Sequence, residues 1–324
     1  MVSQVEVVLD TIDIYFIFDI LDVISSDSLK DNRFRFSDQQ ILRIMVLKEI
    51  KGLSLRDVVK ELYSNEMSRQ FCKLSDEIPS IETLRYRTSQ MDFKALIEKV
   101  IMLYELSTGH EIKSSAVDST VVKPCKDHRA QLQRKQHKYT DKNASWTKTT
   151  KDKWEYGYKT HISCDTETSL VLNYSFATAK EHDSLHFKDL IDSISQSTYI
   201  LLDSAYDSED IYNTILEKTS AIPVIDINPR RGSVVPVEKD NLTRWIMKNL
   251  RIRYASLYKK RWEVERVNSN LKSIFFFSFE YIYYVPHRHY EQAVGLKLLA
   301  HNLVTFANIS VGLPKNRKLK SVTL

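Results

Sequence analysis

Apolar and polar positions alternate with a helical period through the first third of the chain. Residues 4 to 24 are rich in apolar side chains and predict a helix that docks on another helix or subunit. Ile41, Ile44, Met45 and Leu47 then recur at i, i+3, i+4 spacing between a capping Ser37 or Asp38 and Gly52, which predicts a helix to about Lys51. Ser54 caps a second helix to about Tyr63, a short third segment follows over Ser68 to Leu74, and Pro79-Ser80 opens a fourth carrying Thr83, Leu84, Arg85 and Arg87. Residues 92 to 108 make one more, stopping near Gly109. At Lys113 the period changes. Lys113 to Val122 is rich in β-branched residues and predicts a strand, and Trp154 to Cys164 with Leu170 to Thr178 predict a hairpin. His182-Asp183-Ser184 caps a helix to about Ser195, Tyr199 to Leu202 is a short strand running into Asp203, and Tyr206-Asp207-Ser208 starts another helix. Ala221 to Ile227 is a fifth strand, closed by Asn228-Pro229-Arg230-Arg231-Gly232. Gly and Pro are absent from 254 to 285, and Leu257, Val264, Val267, Leu271 and Ile274 predict an amphipathic helix there. A last helix over His289 to Ile309 sets Ala293, Leu296, Leu299, Ala300, Leu303 and Phe306 on one side, a face expected to cover the sheet.

Three consecutive antiparallel strands extended by parallel strands through helical crossovers make one mixed sheet. The expected fold is therefore α/β, a ribonuclease H-like mixed sheet flanked by helices and preceded by a small all-helical N-terminal domain. The implied division is an N-terminal helix in 1–33, a helix-turn-helix-like region in 34–108, the sheet domain in 109–285, and a C-terminal helix with a basic tail in 286–324. The chain of 324 residues with 43% hydrophobic content is long enough to bury a large core.

Charge is uneven along it. Residues 1 to 31 carry seven acidic side chains against Lys30, whereas 123 to 153 and 315 to 320 are rich in Lys and Arg, so a polyanionic partner suits the basic parts. The long polar run 123–153, with Arg129, Arg134, Lys135, His137, Lys138 and Lys142 around Tyr139 and Trp146, predicts a functional loop or local disorder suited to nucleic acid. Cys72, Cys125 and Cys164 form no C-x-x-C pair, which argues against a disulfide framework and a thiolate zinc site and for a reducing compartment. No charged leader precedes an apolar run, and a soluble, cytoplasmic and nucleoid-associated protein is the expectation.

Asp118 sits inside a predicted strand, where aspartate is disfavoured; an edge or bulge explains it as well as a metal-binding carboxylate does. Asp203 falls at the carboxyl end of the fourth strand, where ligands collect in such sheets. At about 100° per residue, Tyr258, Arg261, Glu265 and Lys272 share one helix face within roughly 60°, while Glu263 points away. Taken alone that face also reads as a solvated one with an i,i+4 ion pair. Three carboxylates on separate elements, Asp118, Asp203 and Glu265, repel one another unless cations sit among them, and oxygen ligands suit Mg²⁺, with Mn²⁺ as a substitute. Two such ions about 3.5 to 4 Å apart support in-line displacement at phosphorus. Arg261 and Lys272 would neutralise phosphate charge, with Tyr258 beside them. Arg56, Arg69, Arg85 and Arg87 lie on the short helices, of which Arg85 and Arg87 are the chosen DNA contacts. His182-Asp183 reads as a helix cap before it reads as an aid to a metal site, and His161, His287 and His289 lack any zinc-binding spacing. Phe275 to Phe277 and Phe279 to Tyr284 read as core or a packing surface.

The pattern Tyr-x2-Arg-x3-Glu-x6-Lys through Tyr258, Arg261, Glu265 and Lys272 resembles the Y-R-E-K signature of insertion-sequence transposases of the DDE type. Ala116 to Thr120, Gly157-Tyr-Lys-Thr-His161 and Leu202 to Ser208 are similar to that family's first-aspartate strand, its G-Y-K-x-H strand and its second-aspartate block. Gly52 to Asp57 and Pro79 to Leu84 resemble its helical N-terminal domain, and Leu299 to Leu303 its C-terminal helix. The sequence departs at Ser204-Ala205, where Lys-Gly is commoner, and at Ser119, in place of a small apolar residue. The resemblance implies that Asp118, Asp203 and Glu265 are the metal-binding catalytic triad. It implies cleavage at the terminal inverted repeats of a mobile element and transfer of the 3′-hydroxyl into target DNA, with DNA as partner and a homodimer as the active complex. The alternative is a catalytically inactive or repurposed DNA-binding protein of the same fold.

Overall fold

The computed structural model describes residues 16–25, 35–139, 141–150, 153–181, 183–228, 242–273 and 290–315. The sequence expectations for 4–15, His182, 229–232, Phe275 to Tyr284, His287, His289 and the tail beyond Lys315 lie outside these residues. The chain divides into two compact units, one of Met1–Gly109 with Asn270–Leu324 and one of His110–Ser269. Among the described residues, no helix is long and apolar enough to cross a membrane.

In the first unit a helix over 16–25, α1, precedes α2 (Asp38–Lys51), α3 (Leu55–Ser64), α4 (Glu66–Phe71), α5 (Ile81–Thr88) and α6 (Phe93–Thr108). The caps are those that short polar residues dictate. Ser37 and Gln40 form a capping box at the start of α2, Ser54 and Ser80 cap α3 and α5, and Gly52 and Gly109 take the left-handed conformation that ends α2 and α6. The C-terminal helix, numbered α14 (Tyr290–Ser310) from its place in the chain, is buried nearly all round and packs against α6 and α2. The expected single apolar face is therefore not what is buried: the polar side chains Lys297, His301, Asn302, Thr305 and Asn308 are buried along with the apolar ones. A buried ion pair, Lys297 Nζ to Glu49 Oε2 at 2.7 Å, ties α14 to α2 within this packing.

The second unit holds a six-stranded mixed sheet: β1 (Ser114–Val122), β2 (Ser145–Thr150), β3 (Lys153–Asp165), β4 (Val171–Thr178), β5 (Tyr199–Leu202) and β6 (Ile222–Ile225). β3 pairs antiparallel with β1, β2 and β4, while β5 runs parallel to both β1 and β6. The order β4-β3-β1-β5-β6, three antiparallel strands continued by two parallel ones, is the ribonuclease H-like arrangement expected from the sequence. The helices of this unit are α7 (Asp127–Gln136), α8 (Asp183–Phe187), α9 (Ile191–Ile194), α10 (Glu209–Lys218), α11 (Leu242–Arg253), α12 (Ala255–Tyr258) and α13 (Trp262–Ser273), the last two joined by a 3-10 turn over Lys259–Arg261.

Several boundaries differ from the pattern-based expectation. The polar run 123–153 is not a loop: it folds into α7 and β2. Its aromatic residues pack instead of projecting, with Tyr139 stacked on Tyr156 and Trp146 tilted against the same ring. Lys123, at its start, is buried and paired with Glu155 at 3.1 Å. The helix expected over 183–195 is broken into α8 and α9, and α11 is an added helix packed against β6. Gly157 on β3 allows the strands to meet closely, since a Cβ there would lie 2.3 Å from the Val122 carbonyl oxygen.

Candidate active site

Successive residues of a strand point to opposite faces of its sheet, and β1 presents two polar side chains in a row. Asp118 faces α13, whose Asn268 Nδ2 donates to Asp118 Oδ2 at 3.0 Å. Ser119 faces α8 and donates to Asp183 Oδ2 at 3.2 Å, while Lys159 Nζ donates to the other oxygen of Asp183 at 2.7 Å. The two helices thus lie on opposite faces with β1 between them.

Asp203 follows β5 directly. The parallel pairing of β1 with β5 runs to Ala116 beside Leu201; Asp118 and Asp203 each follow two residues beyond that pair, and the charge of Asp203 is felt at Asp118. The Asp203 carboxylate caps the short 3-10 turn Ser204–Tyr206, with Oδ1 accepting from the Ala205 amide at 2.9 Å. Tyr258 locks α12 to the same strand end, its hydroxyl donating to the Leu202 carbonyl at 3.1 Å. The carboxyl end of β5 thus lies next to the Asp118-bearing middle of β1, with Tyr258 holding α12 to it.

The electrostatics follow from that convergence. Burial, then the neighbouring Asp203 and, more weakly, Glu265, push the Asp118 carboxyl up to about 7. Burial also raises Asp203. Arg261 lies close enough to lower both. Its guanidinium pairs with Glu265, four residues on along the helix.

Hard oxygen donors that repel one another are the donor set a divalent cation prefers, and a cation would reverse the proton uptake that the bare pair invites. One buried acceptor next to Asp118, Asn268 Oδ1, has no hydrogen-bond partner. The residues present thus fit a divalent ion. They do not form a finished cage: among the described residues no three His, Cys, Asp or Glu side chains converge on one point, because the Glu265 carboxylate is turned to Arg261.

The sequence-predicted residues fall into distinct groups. Asp118 and Asp203 are brought together, and Glu265 lies on the adjacent helix with its charge felt at Asp118. Glu263 is buried, accepts from the Ser169 hydroxyl and pairs with Arg266 at 3.0 Å, away from the aspartates. Tyr258 is 6% exposed and holds the backbone, so it is a positioning residue and not a surface DNA contact. Arg87 is likewise corrected: at 5% exposure its guanidinium donates to the Phe36 carbonyl at 2.8 Å and pairs with Asp38, fastening α5 to the start of α2. Arg85 is exposed on α5, and Lys272 is exposed in the last turn of α13. The motif reasoning overlooked Asn268, although it lies three residues beyond Glu265 on the same helix face. It also placed Asp207 in a helix's first turn, whereas Asp207 is buried and held by Arg244 Nη2 at 2.8 Å, which ties α11 to the segment after Asp203.

Comparison with known families matches the family described as "Transposase DDE domain" to residues 110–303, more than half of the chain. The family "Transposase domain (DUF772)" matches residues 3–90. No curated protein matches the chain. Among solved structures, one similar chain is that of the cryo-EM structure of the piggyBac transposase synaptic complex with hairpin DNA, at 11% identity and a TM-score of 0.46, covering 98% of this chain and 78% of that one.

Proposed function

Because the chain belongs to the family of DDE transposases and is a DNA transposase, we propose that it cuts DNA at the terminal inverted repeats of its own mobile element and joins the freed 3′-hydroxyl to target DNA. Asp118, Asp203 and Glu265 are the residues we assign to holding divalent ions, Mg²⁺ or Mn²⁺. The observation that supports the assignment is the β1–β5 register, which stops two residues short of both Asp118 and Asp203, together with Asn268 of α13 donating to Asp118.

Bound ions there would lower the cost of the negative charge that builds on oxygen during in-line displacement at phosphorus. The protein's own groups have separable tasks. Asp118 and Asp203 offer one oxygen each while Asn268 and the Ala205 amide fix the other, so both carboxylates are held in orientation. Arg261 neutralises Glu265 in the DNA-free protein and is placed to transfer its guanidinium to a phosphate of the substrate, which releases the Glu265 carboxylate toward the aspartates. Tyr258 keeps the helix carrying both groups docked on the strand end. Exposed Arg85 and Lys272 supply phosphate contacts, and two copies of the chain act together, one on each repeat end.

The test is cleavage and joining of a labelled duplex carrying the inverted repeats that flank the gene, with Mg²⁺ present. Asp118→Asn, Asp203→Asn and Glu265→Gln each lower cleavage by roughly 100-fold or more while duplex binding persists. Glu263→Gln keeps cleavage. Normal activity in Glu265→Gln together with loss in Glu263→Gln would reverse the assignment of the two glutamates, and unchanged activity in either aspartate variant would end the proposal.

A further inference from the structure

β6 ends one strand over from Asp203. In the parallel pairing of β5 with β6, Leu202 lies beside Ile225, so Asp203 and Asp226 each follow one residue beyond the last pair. The Leu202 carbonyl joins the two strand ends to α12, accepting from the Asp226 amide at 3.3 Å and from the Tyr258 hydroxyl at 3.1 Å. Arg251, in the last turn of α11, is set against this junction. Its Nε donates to Asp226 Oδ1 at 2.7 Å, and its guanidinium carbon lies 3.5 Å from the centre of the Tyr258 ring. Arg261 approaches the same ring, at 5.8 Å. Two guanidinium groups thus meet one tyrosine at the end of the strand that leads into Asp203, and each is paired with a carboxylate, Asp226 for Arg251 and Glu265 for Arg261.

The Arg251 group is only partly used. A guanidinium offers five N–H donors in a fixed plane, and one that lies on an aromatic ring keeps its edge open. Among the described residues, Nε is the one nitrogen of Arg251 with a hydrogen-bond partner, and neither terminal nitrogen is buried. The ion pair competes little for it, since Asp226 is 45% exposed and a pair that open to water contributes little. A planar fork of donors steadied by a ring suits the oxygens of a phosphodiester, which it binds through two parallel hydrogen bonds.

We propose that Arg251 is a phosphate-binding residue, gripping through Nη1 and Nη2 a DNA phosphate at the β6 side of the candidate active site. The inference rests on the DNA substrate and the strand-end site assigned above. Asp226 orients the fork in the DNA-free protein, and the Tyr258 ring that docks α12 also spaces Arg251 from Arg261. The phosphate belongs to the repeat end or to the target duplex, and the experiment tells them apart.

Binding of the labelled repeat duplex to the full-length protein, and of a target duplex to its complex with pre-cut repeat ends, is measured across a salt titration. The chains compared are the unaltered one, Arg251→Gln, Arg251→Lys and Asp226→Asn. The expected result is that Arg251→Gln binds one or both duplexes roughly 10-fold more weakly, with the slope of log affinity against log salt reduced by about 1. The duplex affected names the source of the phosphate. Arg251→Lys keeps the slope because it keeps the charge, and Asp226→Asn binds at least as tightly as the unaltered protein because it frees the fork. Full affinity and slope for both duplexes in Arg251→Gln overturns the proposal. So does parallel weakening in Asp226→Asn, which would make the Arg251–Asp226 pair a brace for α11 and nothing more. If the unaltered chain neither cuts nor joins the repeat duplex, the activity proposed above falls, and this inference with it.

Discussion

Gly157 shows how a single residue sets the site's frame. β1 carries Asp118 and is registered against β3, and any Cβ at 157 would drive into the Val122 carbonyl, which is backbone and cannot swing away. Gly157→Ala is therefore expected to destabilise the protein by about 1–3 kcal/mol, the usual range for overpacking, read as a lower urea midpoint. An unchanged midpoint would mean that β1 and β3 separate there without cost. The same scale explains what sequence alone could tell. Aspartate within a β-branched strand violates local preference, and such a violation is visible without a structure. Tyr258 and Arg87 were assigned to DNA because their types suit phosphate or base contact. Burial decided otherwise, and burial depends on packing partners far along the chain, Leu202 for the first and Phe36 with Asp38 for the second.

Among the elements, capped amphipathic helices were the most legible. Ser37 with Gly52, Ser54 and Ser80 mark α2, α3 and α5 through hydrogen bonds between near neighbours, which the sequence itself specifies. α7 was not legible because Asp-His-Arg-Ala-Gln-Leu-Gln-Arg-Lys-Gln has no apolar stripe: Ala130 and Gln133 are its buried positions, and Leu132 is exposed. The face of α13 was legible in part, since helical spacing separated Glu265 from Glu263 but not the Asn268 contact beyond them.

The junction of α14 with α2 allows a stability test at this scale. Burial alone would raise the Glu49 carboxyl, but the Lys297 and Lys48 cations outweigh it and hold it down to about 2, against an ordinary 4.5. A carboxyl depressed on folding adds stability that is complete above its unfolded value and fades as pH falls through the folded one. The contribution, on the order of 3 kcal/mol, should thus fade between about pH 4.5 and 2. Lys297→Met, which strips one cation from a buried carboxylate, is expected to cost about 3 kcal/mol in urea denaturation at pH 7, whereas Glu49→Leu with Lys297→Met recovers most of it and flattens the acid limb. Equal acid limbs in the double variant and the unaltered protein would show that the pair does not link stability to pH.

For the whole molecule, the informative fact is that chain order and spatial grouping diverge. α14 and the helices of residues 16–109 share a unit although the entire sheet lies between them in sequence. Period and caps describe each helix by itself, so this long-range partnership could not be read from them. The sheet was more legible. Three strands, then strands alternating with helices, admit few topologies under the rules of short, right-handed connection, and the observed order is among them. The parallel pairing of β1 with β5 brings the strands of Asp118 and Asp203 side by side, and the proposed cation site is one point of that sheet. It is tested most directly by crystals of the protein bound to a terminal-repeat duplex and soaked in Mn²⁺, read for anomalous scattering. The expected result is a peak coordinated by both Asp118 and Asp203, with Glu265 released from Arg261 and turned toward it. A peak held elsewhere, with these two aspartates uncoordinated beside the scissile phosphate, would contradict it.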